Sequence, residues 1–210
     1  MTRRRVAVVA ALALAGCAAT PAPVAPVSAP SSRGTQAPAR YAPAGLFPLR
    51  NPSFEVAEGA GANCAVGWFC TMHADPKSFR FFADEARAAD GKRSFCVEPL
   101  TREPWALVTQ GILDRSLNGA RVRYTLAVRL ENVGGPGAGP WAQVQRAGVA
   151  ARPTFQKLAK DTQGWEEQSV EFDVPADATV VEVGATLRGT GRACFDNARL
   201  EVLRPGKNPV

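Results

Sequence analysis

Residues that build most metal and acid–base sites are scarce in this chain. Histidine occurs once in 210 residues, and a single imidazole excludes the multi-histidine sites of many metalloenzymes. No C-x-x-C pair occurs, which argues against zinc held by four thiolates. A G-x-S-x-G nucleophile motif is also missing, so we expect His73 to be a loop residue that hydrogen bonds to backbone. A hydrolase is therefore the least favoured class of function.

Beyond the first five residues the chain has no dense basic run, although the net charge is +6. Three of the arginines, Arg3 to Arg5, lie in a segment that we expect to be removed. Without them Lys+Arg falls from 25 to 22 against 19 acids, a net charge of +3. No nucleic-acid-binding motif accompanies this charge, so a nucleic-acid partner is excluded. An apolar content of 46% suits a globular protein of one domain, or two at most.

The first 17 residues have the plan of an export signal. Three arginines precede an apolar run, Val6 to Leu14, that is too short to span a bilayer as a permanent helix. Leu14-Ala15-Gly16-Cys17 then resembles the lipobox of bacterial lipoproteins. The resemblance implies a signal peptide at 1–16 and lipidation of Cys17. An ordinary signal peptide with an incidental cysteine is the alternative.

Two further features bear on the location of the chain. The residue after the lipidated cysteine is Ala18 and not aspartate, which resembles the pattern of lipoproteins sorted to the outer membrane. The resemblance implies a lipid-anchored protein of the bacterial outer membrane that faces the periplasm or the cell surface. Residues 17–45 are predicted to be the lipidated cysteine and the linker that follows it, with six prolines and nine alanines. Such a composition favours extended polyproline conformation, about 3.1 Å per residue, so the tether reaches roughly 85 Å.

From residue 46 the pattern becomes that of short strands. In 121–130 the apolar residues fall on even positions, as they do in a half-buried strand. Sustained helical periodicity is missing, and at most a turn or two is expected at 84–90 or 155–161. The chain is predicted to be an all-β antiparallel sandwich or jelly roll at 46–205, followed by a tail at 206–210. The nine predicted strands are 51–56, 78–83, 92–97, 105–113, 121–130, 141–147, 166–174, 179–187 and 193–203.

Five short motifs occur in order between residues 51 and 203. They are Asn51-Pro52-Ser53-Phe54-Glu55, the segment Gly91 to Val97, Gln110, Gly164-Trp165 followed by Val170 to Pro175, and the segment Gly189 to Leu200. Their order and separation resemble galactose-binding-like jelly-roll modules, a fold shared by many carbohydrate-binding modules. The resemblance implies that fold, and it implies sugar binding only by analogy.

The same resemblance implies a structural calcium site. Its carboxylate ligands would be Glu55 and Asp196, with backbone carbonyls and water completing the shell of six to eight oxygens. The alternative is that both carboxylates accept backbone amides or pair with Arg93 or Lys92. The two cations near the site favour that alternative.

Four cysteines remain after Cys17, an even number that suits an oxidising compartment. Four cysteines allow three pairings. Cys64 and Cys70 are six residues apart across a short loop, which is easy to close. If the resemblance brings Glu55, Arg93 and Asp196 together, it also places Cys96 beside Cys194. We therefore expect disulfides Cys64–Cys70 and Cys96–Cys194.

Aromatic side chains decide whether sugar binding is plausible, because saccharides lay their C–H faces on tryptophan rings. Trp68 and Trp165 are expected to pack in the core. Trp105 and Trp141 are expected to be exposed platforms, the latter after the flexible run 134–140. Gln143 and Gln145 alternate with Trp141 and would share its strand face. Trp105, Trp141, Gln143 and Gln145 form the predicted ligand site.

The sequence thus favours a membrane-anchored, non-catalytic binding lipoprotein, with an envelope or environmental polysaccharide or peptidoglycan as its ligand. The rival function is structural, a lipoprotein that docks another envelope protein and binds no sugar. An exposed aromatic strip with polar neighbours favours the first function, and a flat apolar patch favours the second.

Overall fold

The computed structural model describes residues 41–56, 64–148 and 154–207. Those residues form nine β-strands and one short 3-10 helix, Arg115–Leu117. The predicted lipidation site Cys17, the signal peptide and most of the linker lie outside the described residues. No helix within the described ranges is long and apolar enough to cross a membrane. The strands are β1 (Gly45–Phe47), β2 (Phe69–Met72), β3 (Phe79–Asp84), β4 (Ser94–Pro99), β5 (Ala106–Ile112), β6 (Arg121–Arg146), β7 (Thr154–Gln156), β8 (Ala159–Asp173) and β9 (Ala178–Arg204).

Two long strands organise the fold. β6 and β9 contain 26 and 27 residues and pair antiparallel along most of their length. The first half of β9 also pairs with β5, which pairs with β2, while the second half of β6 pairs with β7. The second half of β9 pairs with β4 and β1, and the first half of β6 pairs with β8. The result is a nearly closed antiparallel sheet with the strand order of a jelly-roll sandwich, as the sequence predicted.

Glycines allow β6 and β9 to bend from one half of the sandwich into the other. The register between the two strands shifts twice between Glu131 and Gly137. Across this corner, Gly189 and Gly191 have φ of +127° and +86°. A Cβ at position 189 would collide with the carbonyl oxygen of Gly134. Side chains are therefore excluded by the close approach of the two backbones as well as by the positive φ.

The core lies between the two halves and is built by alternation. The even residues of 122–130 are fully buried, and on β9 the odd residues Val181, Val183 and Leu187 are buried. Phe54 closes one end of the core, with its ring 4.8 Å from the ring of Trp68 and 5.8 Å from that of Phe95. Trp68 thus packs in the core as predicted.

The predicted strands differ from the observed ones in three ways. Residues 51–56 are a turn and not a strand, because Asn51 and Phe54 have φ of 45° and 52°. The pairs 121–130 with 141–147 and 179–187 with 193–203 are each one continuous bent strand. The short strands β1, β2 and β7 were not predicted. Neither 84–90 nor 155–161 is helical.

Candidate functional site

A depression on the outer face of the β5–β9–β6–β7 half gathers most of the predicted ligand residues. Its volume is about 510 Å³, which is within the range of small-ligand pockets. Apart from Trp105, which precedes β5, the lining side chains alternate along their strands with core residues, so the pleat points them outward. They are Trp105, Leu107, Trp141, Gln143, Thr154, Gln156, Thr186 and Arg188.

Trp141 lines this depression from β6. In register it faces Gln156 of β7 on one side and Gly184 of β9 on the other. A Cβ at 184 would collide with the carbonyl oxygen of Val108, so this position stays without a side chain beside the indole. The prediction of an exposed Trp141 platform was wrong, since the residue is only 8% exposed. Neighbouring strands flank the residue on both sides, which leaves only a small part of the indole on the pocket wall.

The two predicted glutamines have different surroundings. Gln143 lines the depression and its Nε2 donates to Oγ1 of Thr154 at 3.3 Å. The amide oxygen of Gln143 therefore remains as an acceptor on the pocket wall. Gln145 lies on the same face two residues further along β6, but it does not line the depression.

Trp105 stands at the rim, just before β5, and is half-buried. The edge of the His73 ring meets its indole, with ring centroids 6.0 Å apart. Nδ1 of His73 lies 2.9 Å from Oε2 of Glu103, and the backbone N–H of His73 donates to the carbonyl of Trp105. The side-chain partner of His73 is thus a carboxylate and not backbone, and the histidine supports an aromatic wall.

Sequence reasoning missed Gln156, Thr186 and Arg188. These residues come from β7 and β9, which are separate from Trp141 in sequence and adjacent to β6 only after folding. Alternation along β9 carried a usable signal, because the polar Thr186 and Arg188 lie out of phase with the apolar Val183, Ala185 and Leu187, although Thr186 is itself buried. Pairing β9 with β6 was needed before that signal could point to this site.

Glu55 and Asp196, the predicted calcium ligands, both accept backbone amides. Oε1 of Glu55 accepts the N–H groups of Lys92 and Arg93 at 2.8 and 3.1 Å, and these bonds lower the pKa of Glu55. Gly91 has φ of +70°, and a Cβ there would collide with the Glu55 carboxylate. The guanidinium of Arg93 pairs with Glu85 instead, at 3.2 Å.

Asp196 is fully buried and uses both carboxylate oxygens. Oδ2 accepts the N–H groups of Ala89 and Asp90 at 2.7 and 3.0 Å, and Oδ1 accepts that of Asn197 at 2.7 Å. Burial raises the pKa of Asp196, an effect that the three amides oppose. Backbone N–H groups point at the two carboxylates, where a bound calcium ion would need further oxygen ligands. Glu55 and Asp196 therefore do not fit a calcium site.

Removing divalent cations should accordingly leave the stability of the chain unchanged. The measurement is the melting temperature in excess chelator and then in millimolar calcium. A bound ion at 100 times its Kd would stabilise the fold by about 2.7 kcal/mol, which corresponds to a rise of about 5–10 °C for a domain of this size. A rise of that order with calcium would contradict the amide-filled site.

The structure contains both expected disulfides. Cys64 and Cys70 are bonded across six residues, and Cys96 and Cys194 across 98. Cys96 and Cys194 are register partners on β4 and β9. Asp84 lies near this second pair, and the three residues are the sole cluster of metal-ligand type found in the described ranges. Because both thiols are joined in the disulfide, the cluster has no thiolate to offer a metal.

Charged pairs cover the outer face of the other half of the sandwich. Arg129 is 6% exposed, binds Asp84 and Glu131, and lies 5.5 Å from the ring centre of Trp165. Trp165 was expected to pack in the core. It is instead half-buried beneath a cation on the outer face. Gln110, the glutamine of the sequence motif, is buried and holds Arg50 and Gly67 through their backbones.

Comparisons with known proteins reveal similarity in structure only. No family model and no curated protein matches the sequence. The CBM22-1 xylan-binding domain of Paenibacillus barcinonensis Xyn10C matches with a TM-score of 0.53 and 16% identity, over 73% of this chain and 92% of that domain. The tandem CBM22-1–CBM22-2 domain of the same protein gives 0.61 and 14%, over 80% of this chain and 49% of the tandem.

A third structure extends the likeness beyond that protein. A putative sugar binding protein of Bacteroides thetaiotaomicron matches with a TM-score of 0.54 and 12% identity, over 73% of this chain and 98% of its own length. At these identities the likeness defines the fold. The chain has the jelly-roll fold that carbohydrate-binding modules share.

Proposed function

We propose that the chain is a non-catalytic glycan-binding lipoprotein of the bacterial outer membrane. One observation carries the binding function: Trp105, Trp141 and Gln143 meet in one outer-face depression of a fold shared with carbohydrate-binding modules. Indole walls suit the C–H faces of sugar rings, and neighbouring amides and hydroxyls suit their hydroxyl groups. A polysaccharide or peptidoglycan is the ligand class.

The anchor part of the proposal rests on the sequence. Cys17 follows a lipobox-like segment, and an acylated N-terminal cysteine would hold the domain at the membrane through several chains. The linker of 17–45 would let the folded domain reach polymer at a distance from the bilayer. Binding needs no catalytic group, which suits a site lined by indoles, amides, hydroxyls and one guanidinium.

A docking function is the rival, and one surface favours it. Phe69 and Leu113 are 68% and 75% exposed and line a second depression of about 460 Å³, together with Phe47 and Ile112. Exposed apolar side chains grouped in this way are typical of protein contacts. The depression lies at β2 and the end of β5, and Trp105 and Trp141 do not line it, so variants can separate the two functions.

The test is a pull-down of the full chain, in mild detergent, with insoluble xylan, cellulose, chitin and peptidoglycan. We expect retention on at least one polymer, weakened about thirtyfold by Trp105→Ala, since truncating an aromatic anchor costs about 2 kcal/mol. Gln143→Ala, a change at a half-buried side chain, should weaken retention by a smaller factor. Melting temperatures of both variants establish that they are folded.

Trp165→Ala is the matched control, because it removes a half-buried indole from the other half of the sandwich. It should leave retention unchanged. If no polymer retains the wild-type chain, or if Trp165→Ala weakens retention as much as Trp105→Ala, glycan binding by this depression is wrong. Loss of a protein contact in a Phe69→Ser variant would then support the docking function.

A further inference from the structure

The depression contains a cation that no carboxylate of the described residues neutralises. Arg188 lines it together with seven residues, none of them acidic. The Nε atom of Arg188 is buried and has no hydrogen-bond partner among the described residues. Ten other arginines in the same ranges form ion pairs with aspartate or glutamate. Arg188 therefore stands apart from the general charge pairing of this surface.

Comparison with the other arginines shows how unusual this position is. Arg50, Arg102 and Arg115 also lack an ion pair within the described ranges, but they are exposed and hydrated. Arg93 and Arg129 also have a buried Nε without an acceptor, yet each has a carboxylate partner. Arg188 combines partial burial, an unsatisfied Nε and no carboxylate. A guanidinium so placed has lost part of its hydration without compensation from the protein.

The acids beside the depression in sequence or on its strands are hydrogen-bonded elsewhere or distant. Glu103, beside Trp105, is bound by His73 at 2.9 Å. Glu182 lies on the same face of β9 but faces Gln143 in register. It is six residues from Arg188, about 20 Å along a strand. The end of the depression around Arg188 is consequently positive, with an indole wall nearby.

We infer that the depression takes an acidic glycan and that Arg188 binds its carboxylate. The inference rests on the proposed function and adds the charge class of the ligand. Because Nε is buried, the two Nη groups of Arg188 would donate two parallel N–H bonds to the carboxylate, which fixes the orientation of the sugar ring that bears it. Trp105 then contacts a ring face beside the small exposed part of Trp141, and the amide oxygen of Gln143 accepts a hydroxyl. Sugar carboxylates of this kind occur on uronic acids and on muramic acid whose lactyl group carries no peptide.

The experiment compares acidic probes with their neutral forms by isothermal titration calorimetry on the full chain in mild detergent. The probes are trigalacturonate, a glucuronate-substituted xylo-oligosaccharide and a muramic-acid-containing peptidoglycan disaccharide, each beside its carboxyl-reduced form. We expect at least one acidic probe to bind about 10 to 100 times more tightly than its reduced form, the usual range for a hydrogen-bonded charged group. The probe that binds separates uronate from muramic acid as the source of the carboxylate.

Three variants assign that preference to its residue. Arg188→Gln should abolish the difference in affinity between the acidic and the reduced probes. Arg188→Lys keeps the charge without the bidentate geometry and should retain only part of the preference. Arg115→Gln makes the same change in net charge at an exposed arginine on the 3-10 helix, and should change nothing.

The outcomes separate this inference from the proposed function. Equal binding of acidic and reduced probes overturns the inference and leaves the proposed function standing. An acid preference that survives Arg188→Gln, or that Arg115→Gln weakens equally, overturns it in favour of unspecific attraction to a basic protein. Failure of every acidic probe overturns it too, and if the neutral polymers also fail, the proposed function falls with it.

Discussion

Replacing Cys96 and Cys194 together by alanine should lower the free energy of unfolding by about 5 kcal/mol. The bond closes a loop of 98 residues, and in the chain-entropy model a loop of that size contributes about 4.7 kcal/mol through the unfolded state. Urea unfolding of the full chain under non-reducing conditions measures the loss. The melting temperature should fall by about 10–20 °C, at about 2–4 °C for each kcal/mol in a domain of this size.

The disulfide Cys64–Cys70 provides the matched control. It closes only six residues, for which the same model gives about 2 kcal/mol. Both of its cysteines are partly exposed, so alanine there leaves little cavity. At the long bridge, Cys194→Val in place of Cys194→Ala refills part of the space and isolates the contribution of the crosslink. An equal or larger loss from the short bridge would contradict the argument from loop length.

The strands that the sequence predicted well are those with one buried face. In residues 121–130 the large apolar side chains occupy the even positions because these face the core, and this signal needs no knowledge of neighbouring strands. The bend after Leu130 escaped prediction for the opposite reason. Glycines at 134–139 are typical of a flexible loop when they are considered alone. Here β9 pairs with them across the corner and extends the strand.

The turn at residues 51–56 shows a second limit of local pattern. Its apolar Phe54 and Val56 suggested a strand, but Phe54 is held at positive φ while its ring stacks on Trp68 and Phe95. Burial of the ring outweighs the local preference of the backbone. Contacts that are distant in sequence decide such a conformation, and no window of neighbouring residues contains them.

Contacts between residues that are distant in sequence also limited the prediction of the candidate site. Trp141 and Gln143 lie two apart on one strand, so alternation alone placed them together. Arg188 lies beside Trp141 and Gln143 only because β9 pairs with β6, where Arg188 faces Gly137. The carboxylates of Glu55 and Asp196 could have bound calcium or amides, and the path of residues 89–93 decided for amides. The order of the motifs predicted which residues lie close together. It did not predict which backbone atoms their side chains contact.

Arg129 joins the long disulfide to the charged outer face. Its Nη2 lies 2.8 Å from Oδ2 of Asp84 and 3.1 Å from Sγ of Cys194. The guanidinium also binds Glu131, which Arg87 and Arg192 contact as well. Since Glu131 keeps two cations without Arg129, the group most affected by its removal is Asp84, whose side chain is 17% exposed.

Arg129→Met should therefore lower the free energy of unfolding by about 3 kcal/mol, at the low end for breaking a buried ion pair. Methionine keeps much of the apolar stem over Trp165, so the loss reports the charge. Adding Asp84→Asn should restore part of the stability, because the second change removes the carboxylate left without its partner. Urea unfolding of the two single variants and the double variant gives the coupling.

Arg121→Met is the control for this prediction. Arg121 also binds two carboxylates, Glu171 and Asp173, but its side chain is 38% exposed, and pairs in water contribute little. A loss at Arg121 as large as that at Arg129 would mean that burial is not the cause. Arg129→Met combined with the loss of Cys96–Cys194 should in turn cost less than the two losses added together, since the guanidinium and the disulfide sulfur are in contact and share the packing that each removal disturbs.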